Sequence, residues 1–198
     1  MIPDPLIHIR HGETDWNRAK RLQGRRDIPL NDTGRGQAKA NGERLKTVIA
    51  DMGLAPDSFE WVASPLGRSR ETMEIVRREV GLDPKAYRTD DRLREISYGE
   101  LEGFTHEEIE AERPDLYHLL RTEKWSFLPP GGENYPHLAA RVSAALSELS
   151  APAIVVAHGG VYRAIKSLLD GGPKDGIEEF FVPQDKVFVF ENGREDWR

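Results

Sequence analysis

Cysteine is absent from all 198 residues. That excludes disulfides, thiolate metal sites, iron–sulfur clusters and every thiol nucleophile. A basic surplus is absent too: 28 Lys and Arg stand against 34 Asp and Glu, a net charge of −6. Sequence-independent nucleic-acid binding needs a basic face, so no nucleic-acid partner is expected. No apolar run approaches the roughly 20 residues of a membrane span, so no membrane partner is expected either. The first residues, Met1-Ile2-Pro3-Asp4-Pro5, hold neither a basic n-region nor an apolar h-region. No signal peptide is read there, and a cytoplasmic location is expected. No repeat, low-complexity tract or linker divides the chain, and its length fits one domain over 1–198. With 38% hydrophobic and 31% charged residues, the composition is that of an ordinary globule, too apolar for disorder.

What is present is alternation. Leu6–Ile9, Phe59–Ala63, Ala153–Ala157 and Lys186–Phe190 read as strands. Asn31–Asp51 opens with capping-type residues and carries Ala38, Leu45, Val48, Ile49 and Met52 at helical spacing. Ser64-Pro65 reads as an N-cap and N1 proline. The helix behind it carries Met73, Val76 and Val80 on one face. Pro136–Leu149 is amphipathic, with Leu138, Val142, Ala145, Leu146 and Leu149 inward, and Val161–Leu169 reads as a further helix. Residues 96–135 differ. They are acidic early, aromatic late (Tyr117, Trp125, Phe127), and near their end carry Pro129-Pro130-Gly131-Gly132. Short helices and a lid-like insertion are expected there. Strands alternating with helices argue for an α/β sheet with helices on both faces.

Three strand–helix junctions carry the chemistry. Leu6–Ile9 runs into Arg10-His11-Gly12-Glu13-Thr14, Phe59–Ala63 into Ser64-Pro65-Leu66-Gly67-Arg68, and Ala153–Ala157 into His158-Gly159-Gly160. If these strands are parallel neighbours, all three junctions meet at the sheet edge where open α/β sheets bind ligands. Helix N-termini favour an anion, and arginine forks match phosphate oxygens. Two histidines, two arginines and helix ends describe a phosphate pocket. A neutral imidazole can attack phosphorus, and the cations can stabilise charge on the equatorial oxygens. The leaving oxygen then needs a proton, for which Glu95 and Glu13 are the available carboxyls.

Arg10-His11-Gly12-Glu13-Thr14 resembles the signature of the histidine phosphatase superfamily, the phosphoglycerate mutase-like proteins. Asn17, Leu22-Gln23-Gly24, Asp27-Ile28-Pro29-Leu30-Asn31, Thr33-Gly34 and Gln37-Ala38 are similar to the stretch that follows it. Ser64–Ser69 with Thr72, Leu93–Ile96 with Gly99 and Glu102-Gly103, Gly131-Gly132-Glu133 and Val156–Gly160 continue the order. Glu100-Leu101 departs from it, since relatives often carry an aromatic residue before the Glu-Gly pair.

The resemblance implies a three-layer α/β/α fold with a mainly parallel central sheet. It implies that His11 is the phosphorylated nucleophile and that Arg10, Arg68 and His158 line the phosphoryl pocket. It places Glu95 as proton donor and gives Asn17, Gln23, Gly24 and Gly159 to the substrate. No metal and no other cofactor are implied. Glu13 reads as a supporting partner, and His8, His106, His118 and His137 receive no role. Arg21, Arg25 and Arg26 read equally as solvated loop residues or as cations at the pocket mouth. Trp125 and Phe127 read as lid core before substrate stackers. Gly34-Arg35-Gly36 lacks the third glycine and the preceding strand of a dinucleotide loop.

The expected activity is hydrolysis of a small phosphorylated metabolite through a phosphohistidine. The alternatives are mutase-type phosphoryl transfer and a silent phosphate-binding protein. The mutase branch resembles a longer chain with a basic insertion. Here residues 100–123 hold eight acidic side chains and, as basic ones, Arg113 and Arg121.

Overall fold

In the computed structural model, which describes residues 2–173, 176 and 180–198, strand side chains alternate between two apolar layers. Met1 of the terminus read above lies outside the described residues. Strand β1 (Leu6–Arg10) sends Ile7 and Ile9 to one layer and Leu6 to the other. Next come β2 (Glu60–Ala63), the two-residue β3 (Arg88–Thr89) and β4 (Ala153–Ala157). Then follow β5 (Val187–Glu191) and β6 (Arg194–Trp197). Their order is β3-β2-β4-β1-β5-β6. The first four are mutually parallel, while β5 pairs antiparallel with β1 and with β6.

Seven α-helices are present among the described residues. The short α1 (Asp15–Arg18) is closed by a Thr14–Asn17 capping box. Helix α2 (Asp32–Asp51) starts on Asn31, whose side chain accepts from Gly34 N. It packs with α3 (Gly67–Glu79) on one face of the sheet, where Leu45, Ile49, Met73 and Val76 meet Ile7, Ile9, Ile154 and Val156. Helices α4 (His106–Glu112) and α5 (Pro114–Thr122) close with Leu101, Ile109 and Leu120 on a small cluster of their own. Helices α6 (Tyr135–Ser147) and α7 (Gly159–Leu169) cover the other face through Leu138, Val142, Val161 and Ile165. The result is the expected three-layer α/β/α arrangement.

One expectation is corrected. Ser64-Pro65 does not start α3; the helix begins at Gly67 with Leu66 at its N-cap and no local side-chain cap. Asp27 supplies the cap from another loop, both carboxylate oxygens accepting from Gly67 N at 2.8 and 3.1 Å. The Ser64 hydroxyl is committed elsewhere, 2.7 Å from His158 Nε2. Helix α1 and strands β3 and β6 were not legible: β3 has two residues and β6 (Arg-Glu-Asp-Trp) has no apolar alternation.

His8 carries a stability prediction. Its ring is fully buried, 5.7 Å from that of Tyr162, and neither nitrogen has a hydrogen-bond partner among the described residues. Burial, then Arg10, lowers its pKa from 6.5 to about 3. The unfolded chain therefore takes up this proton first as pH falls, and stability is lost between pH 6.5 and 3. His8 alone can contribute up to about 5 kcal/mol of that loss at pH 3. His8→Leu is expected to hold or raise the unfolding free energy at pH 7. It also makes the decline below pH 6.5 shallower in denaturant titrations; an unchanged slope would remove His8 from this role.

Candidate active site

The parallel strands bring the three junctions to one edge. Arg10 pairs in register with Ala157, and Ala63 with Val156. The ladder runs one residue further, with His11 N bonded to Ala157 O at 2.9 Å and Ser64 N to Val156 O at 3.0 Å. A fourth junction joins them: Asp90 N bonds Ala63 O beyond β3, and a 3₁₀ turn at Asp91–Leu93 delivers Glu95. Together they border a cleft of about 140 Å³ lined by Arg10, His11, Asn17, Arg21, Leu22, Gln23, Gly24, Arg68, Glu95, Tyr98, Gly159 and Arg163.

His11 is set up by its neighbours. Its Nδ1 lies 2.7 Å from the Gly12 carbonyl, which can only accept. The proton therefore sits on Nδ1, and Nε2 carries the lone pair. Arg68 Nε donates to that Nε2 at 3.2 Å. Burial, then the Arg68 and Arg10 guanidiniums, holds the imidazole well below its ordinary pKa. It is neutral at pH 7.

Arg68 is fully buried and pinned by backbone oxygens. Its Nη1 donates to Arg26 O at 2.6 Å and its Nη2 to Gly24 O at 2.8 Å. These carbonyls belong to a loop with Gly24 in the left-handed region at φ +51°. A Cβ there would stand 2.1 Å from Glu102 Oε1. Glu102 Oε1 also accepts from Arg25 N, Ser97 Oγ and Tyr98 N. The Glu102-Gly103 pair thus holds the loop that holds Arg68.

His158 stands beside His11, ring centroids 5.2 Å apart and edge to face, rather than on the cleft wall. Its Nε2 meets Ser64 Oγ, and its buried Nδ1 has no partner among the described residues. Burial, then Arg68 and His11, keeps it neutral as well. Arg10 donates through Nη1 to the Val182 carbonyl, and its buried Nε has no partner among the described residues. Burial, then neighbouring Arg163, lowers Arg10 to about 10, which leaves it cationic.

Glu95 lies against the first turn of α7. Its Oε2 accepts from Gly160 N at 3.2 Å and its Oε1 from Ile96 N at 2.9 Å. Asn17 Oδ1 accepts from Thr14 N and from Gln184 Nε2, both donors, so its amide hydrogens are left for the cleft. Gln23 is buried on the wall, its Oε1 without a partner among the described residues. Glu13 takes Arg18 and Asn31 as partners and does not line the cleft.

Arg21 lines the cleft, whereas Arg25 and Arg26 do not. Trp125 stacks on Tyr135 at 4.9 Å, and Phe127 packs on the cluster beneath α4 and α5. Arg163 and Tyr98 were missed. Arg163 falls one helical turn after Gly159 on α7, a spacing that could have found it. Nothing in the sequence marks Tyr98; burial pushes its phenol pKa up, so it stays an O–H donor.

Residues 6–198 match the family described as the histidine phosphatase superfamily, branch 1. The chain belongs to this superfamily. It is 33% identical over 181 residues to a glucosyl-3-phosphoglycerate phosphatase of Mycobacterium tuberculosis, covering 83% of this chain and 74% of that one. It is 32% identical over 174 residues to a 2,3-bisphosphoglycerate-dependent phosphoglycerate mutase of Beijerinckia indica, covering 84% and 81%. Among solved structures, one titled mycobacterial hydrolase 1 is similar with a TM-score of 0.79 at 30% identity, over 98% of this chain and 95% of that one. Histidine phosphatases with both hydrolase and mutase names thus surround this chain. Among the described residues, no helix of this superfamily member is long and apolar enough to cross a membrane.

Proposed function

We propose that this histidine phosphatase is a metal-independent phosphomonoesterase acting on a small phosphorylated metabolite through a phosphohistidine on His11. The observation that carries the reading is the His11 tautomer. Its Nε2 lone pair faces the cleft and accepts from Arg68 Nε, a donor that an incoming phosphoryl oxygen takes over, while Nδ1–H is tied to Gly12 O. Attack by Nε2 forms the N–P bond as the P–O bond to the alcohol breaks. Arg10 and Arg68 stabilise the equatorial oxygens, and His158 backs His11, ring centroids 5.2 Å apart. Glu95 gives its proton to the leaving oxygen. Water then attacks the phosphohistidine, Glu95 takes its proton back, and inorganic phosphate leaves with His11 restored.

Hydrolysis is favoured over mutase-type transfer by the insertion at 96–135, which we take as the lid. Its Arg113 is paired with Glu100 at 2.9 Å rather than presented to the cleft. The test is phosphate release from p-nitrophenyl phosphate and a panel of phosphorylated metabolites, with EDTA present, beside an isomerisation assay on 3-phosphoglycerate. Release that EDTA leaves unchanged is the expected result. Isomerisation without release would move the chain to the mutase reading. Silence in both assays from folded protein, with no labelled phosphohistidine, would support a phosphate-binding protein.

A further inference from the structure

The cations of the site fall into two sets. Arg10, Arg68 and Arg163 line the cleft, and among the described residues Glu95 is the one carboxylate on its wall. Arg10 and Arg163 converge: a Cβ on Gly159 would stand 3.6 Å from Arg10 Nε and 3.6 Å from Arg163 Nη1. Arg163 is tethered there by the Phe180 carbonyl and the Tyr135 hydroxyl, neither of them anionic. These guanidinium forks suit the oxygens of one phosphoryl group.

The second set belongs to the loop at the mouth, and each member meets an acid of residues 96–135. Arg21 makes a two-pronged pair with Glu108 at 2.7 and 2.9 Å and also donates to the Gly103 carbonyl. Arg25 pairs with Glu133 at 3.4 Å, and Arg26 with Glu102 at 3.6 Å. Of the three, Arg21 alone lines the cleft, and its fork is already filled by a carboxylate.

We infer that the site takes a single phosphoryl group carried on an uncharged alcohol, and that Glu108 enforces this choice by occupying Arg21. A substrate with a second anion beside the ester would meet the Glu108 charge and a committed arginine rather than an open fork. The cost of that encounter falls on the charged substrate alone, which is how a like charge gives specificity. Glu108 is therefore a specificity-determining residue that need not touch the reacting atoms. The inference rests on the phosphomonoesterase reading and deepens it.

A matched pair tests it. Glycerol 3-phosphate and 3-phosphoglycerate are both primary alkyl phosphates, and the second carries a carboxylate where the first carries a hydroxymethyl group. The native enzyme is expected to favour glycerol 3-phosphate in kcat/KM by at least about fivefold. Glu108→Gln removes the charge yet keeps a side chain that can serve the Thr105 capping box at the start of α4. It is expected to raise kcat/KM for 3-phosphoglycerate by about threefold to tenfold, chiefly through KM, with glycerol 3-phosphate little changed. Adding Arg21→Gln to that variant should erase the gain. Preference of the native enzyme for 3-phosphoglycerate would overturn the inference, as would a Glu108→Gln variant that shifts both substrates equally. Absence of turnover on p-nitrophenyl phosphate would instead strike the phosphomonoesterase reading itself.

Discussion

His11→Ala is expected to lose phosphate release by on the order of 10⁴-fold or more while the protein stays folded. The size follows from the role. A nucleophile that forms the covalent intermediate has no partial substitute, and the arginines that remain can bind the phosphoryl group without transferring it. The fold should tolerate the change because residue 11 is placed by its backbone. The β1 ladder that places it is made by backbone, including His11 N to Ala157 O. Thermal unfolding and circular dichroism would establish that. The same variant should bind inorganic phosphate, since Arg10, Arg68 and Arg163 are untouched. Acid-labile, alkali-stable label from a labelled substrate should appear on the native chain and vanish in His11→Ala. Residual turnover within tenfold of native would sink the assignment of His11 as nucleophile.

The most legible parts of this site, Arg10, His11, His158 and Gly159, lie where the chain leaves a buried parallel strand. A strand such as Ala153–Ala157, apolar throughout, announces its own ends, so His158 and Gly159 can be placed from pattern alone. His11 and Arg10 follow from Leu6–Ile9 in the same way. Glu95 is less legible, because its junction follows a two-residue strand with no pattern of its own. Arg163 is written in the sequence only as a helical residue. Its meaning comes from tertiary contacts, the Phe180 carbonyl and Tyr135 hydroxyl that turn it into the cleft.

The capping error has the same origin. Ser64-Pro65 has the composition of a helix start, but a buried imidazole nearby takes the hydroxyl, and Asp27 reaches across some 40 residues of sequence to cap α3 instead. The mouth arginines were undecidable from sequence for a related reason. Whether Arg21 is free depends on Glu108, 87 positions away.

Glu95→Gln is expected to divide substrates by their leaving groups. An alkoxide cannot depart without a proton, so alkyl phosphates should lose about 10²–10⁴-fold in kcat. A p-nitrophenolate leaves unaided, and its loss should stay within about tenfold. The fold supplies a second way to make the same measurement without touching the carboxyl. Gly160 N holds Glu95 Oε2 at 3.2 Å, and a Cβ added at Gly160 would stand 2.3 Å from Glu95 Oε1 and 3.2 Å from Ile96 Cγ2. Gly160→Ala must therefore push the carboxylate off the first turn of α7. Gly160 itself reaches no reacting atom, and alanine suits a helix better than glycine. A displacement of about 1 Å can cost on the order of 10²-fold in rate. Gly160→Ala should accordingly reproduce the Glu95→Gln pattern: a kcat loss of about that size on alkyl phosphates, a smaller one on the aryl ester, and KM nearly constant. Equal losses on both substrate types in Glu95→Gln would remove Glu95 from the acid role. The split in Glu95→Gln with none in Gly160→Ala would leave Glu95 as the acid but show that its seat on α7 is not what aims it.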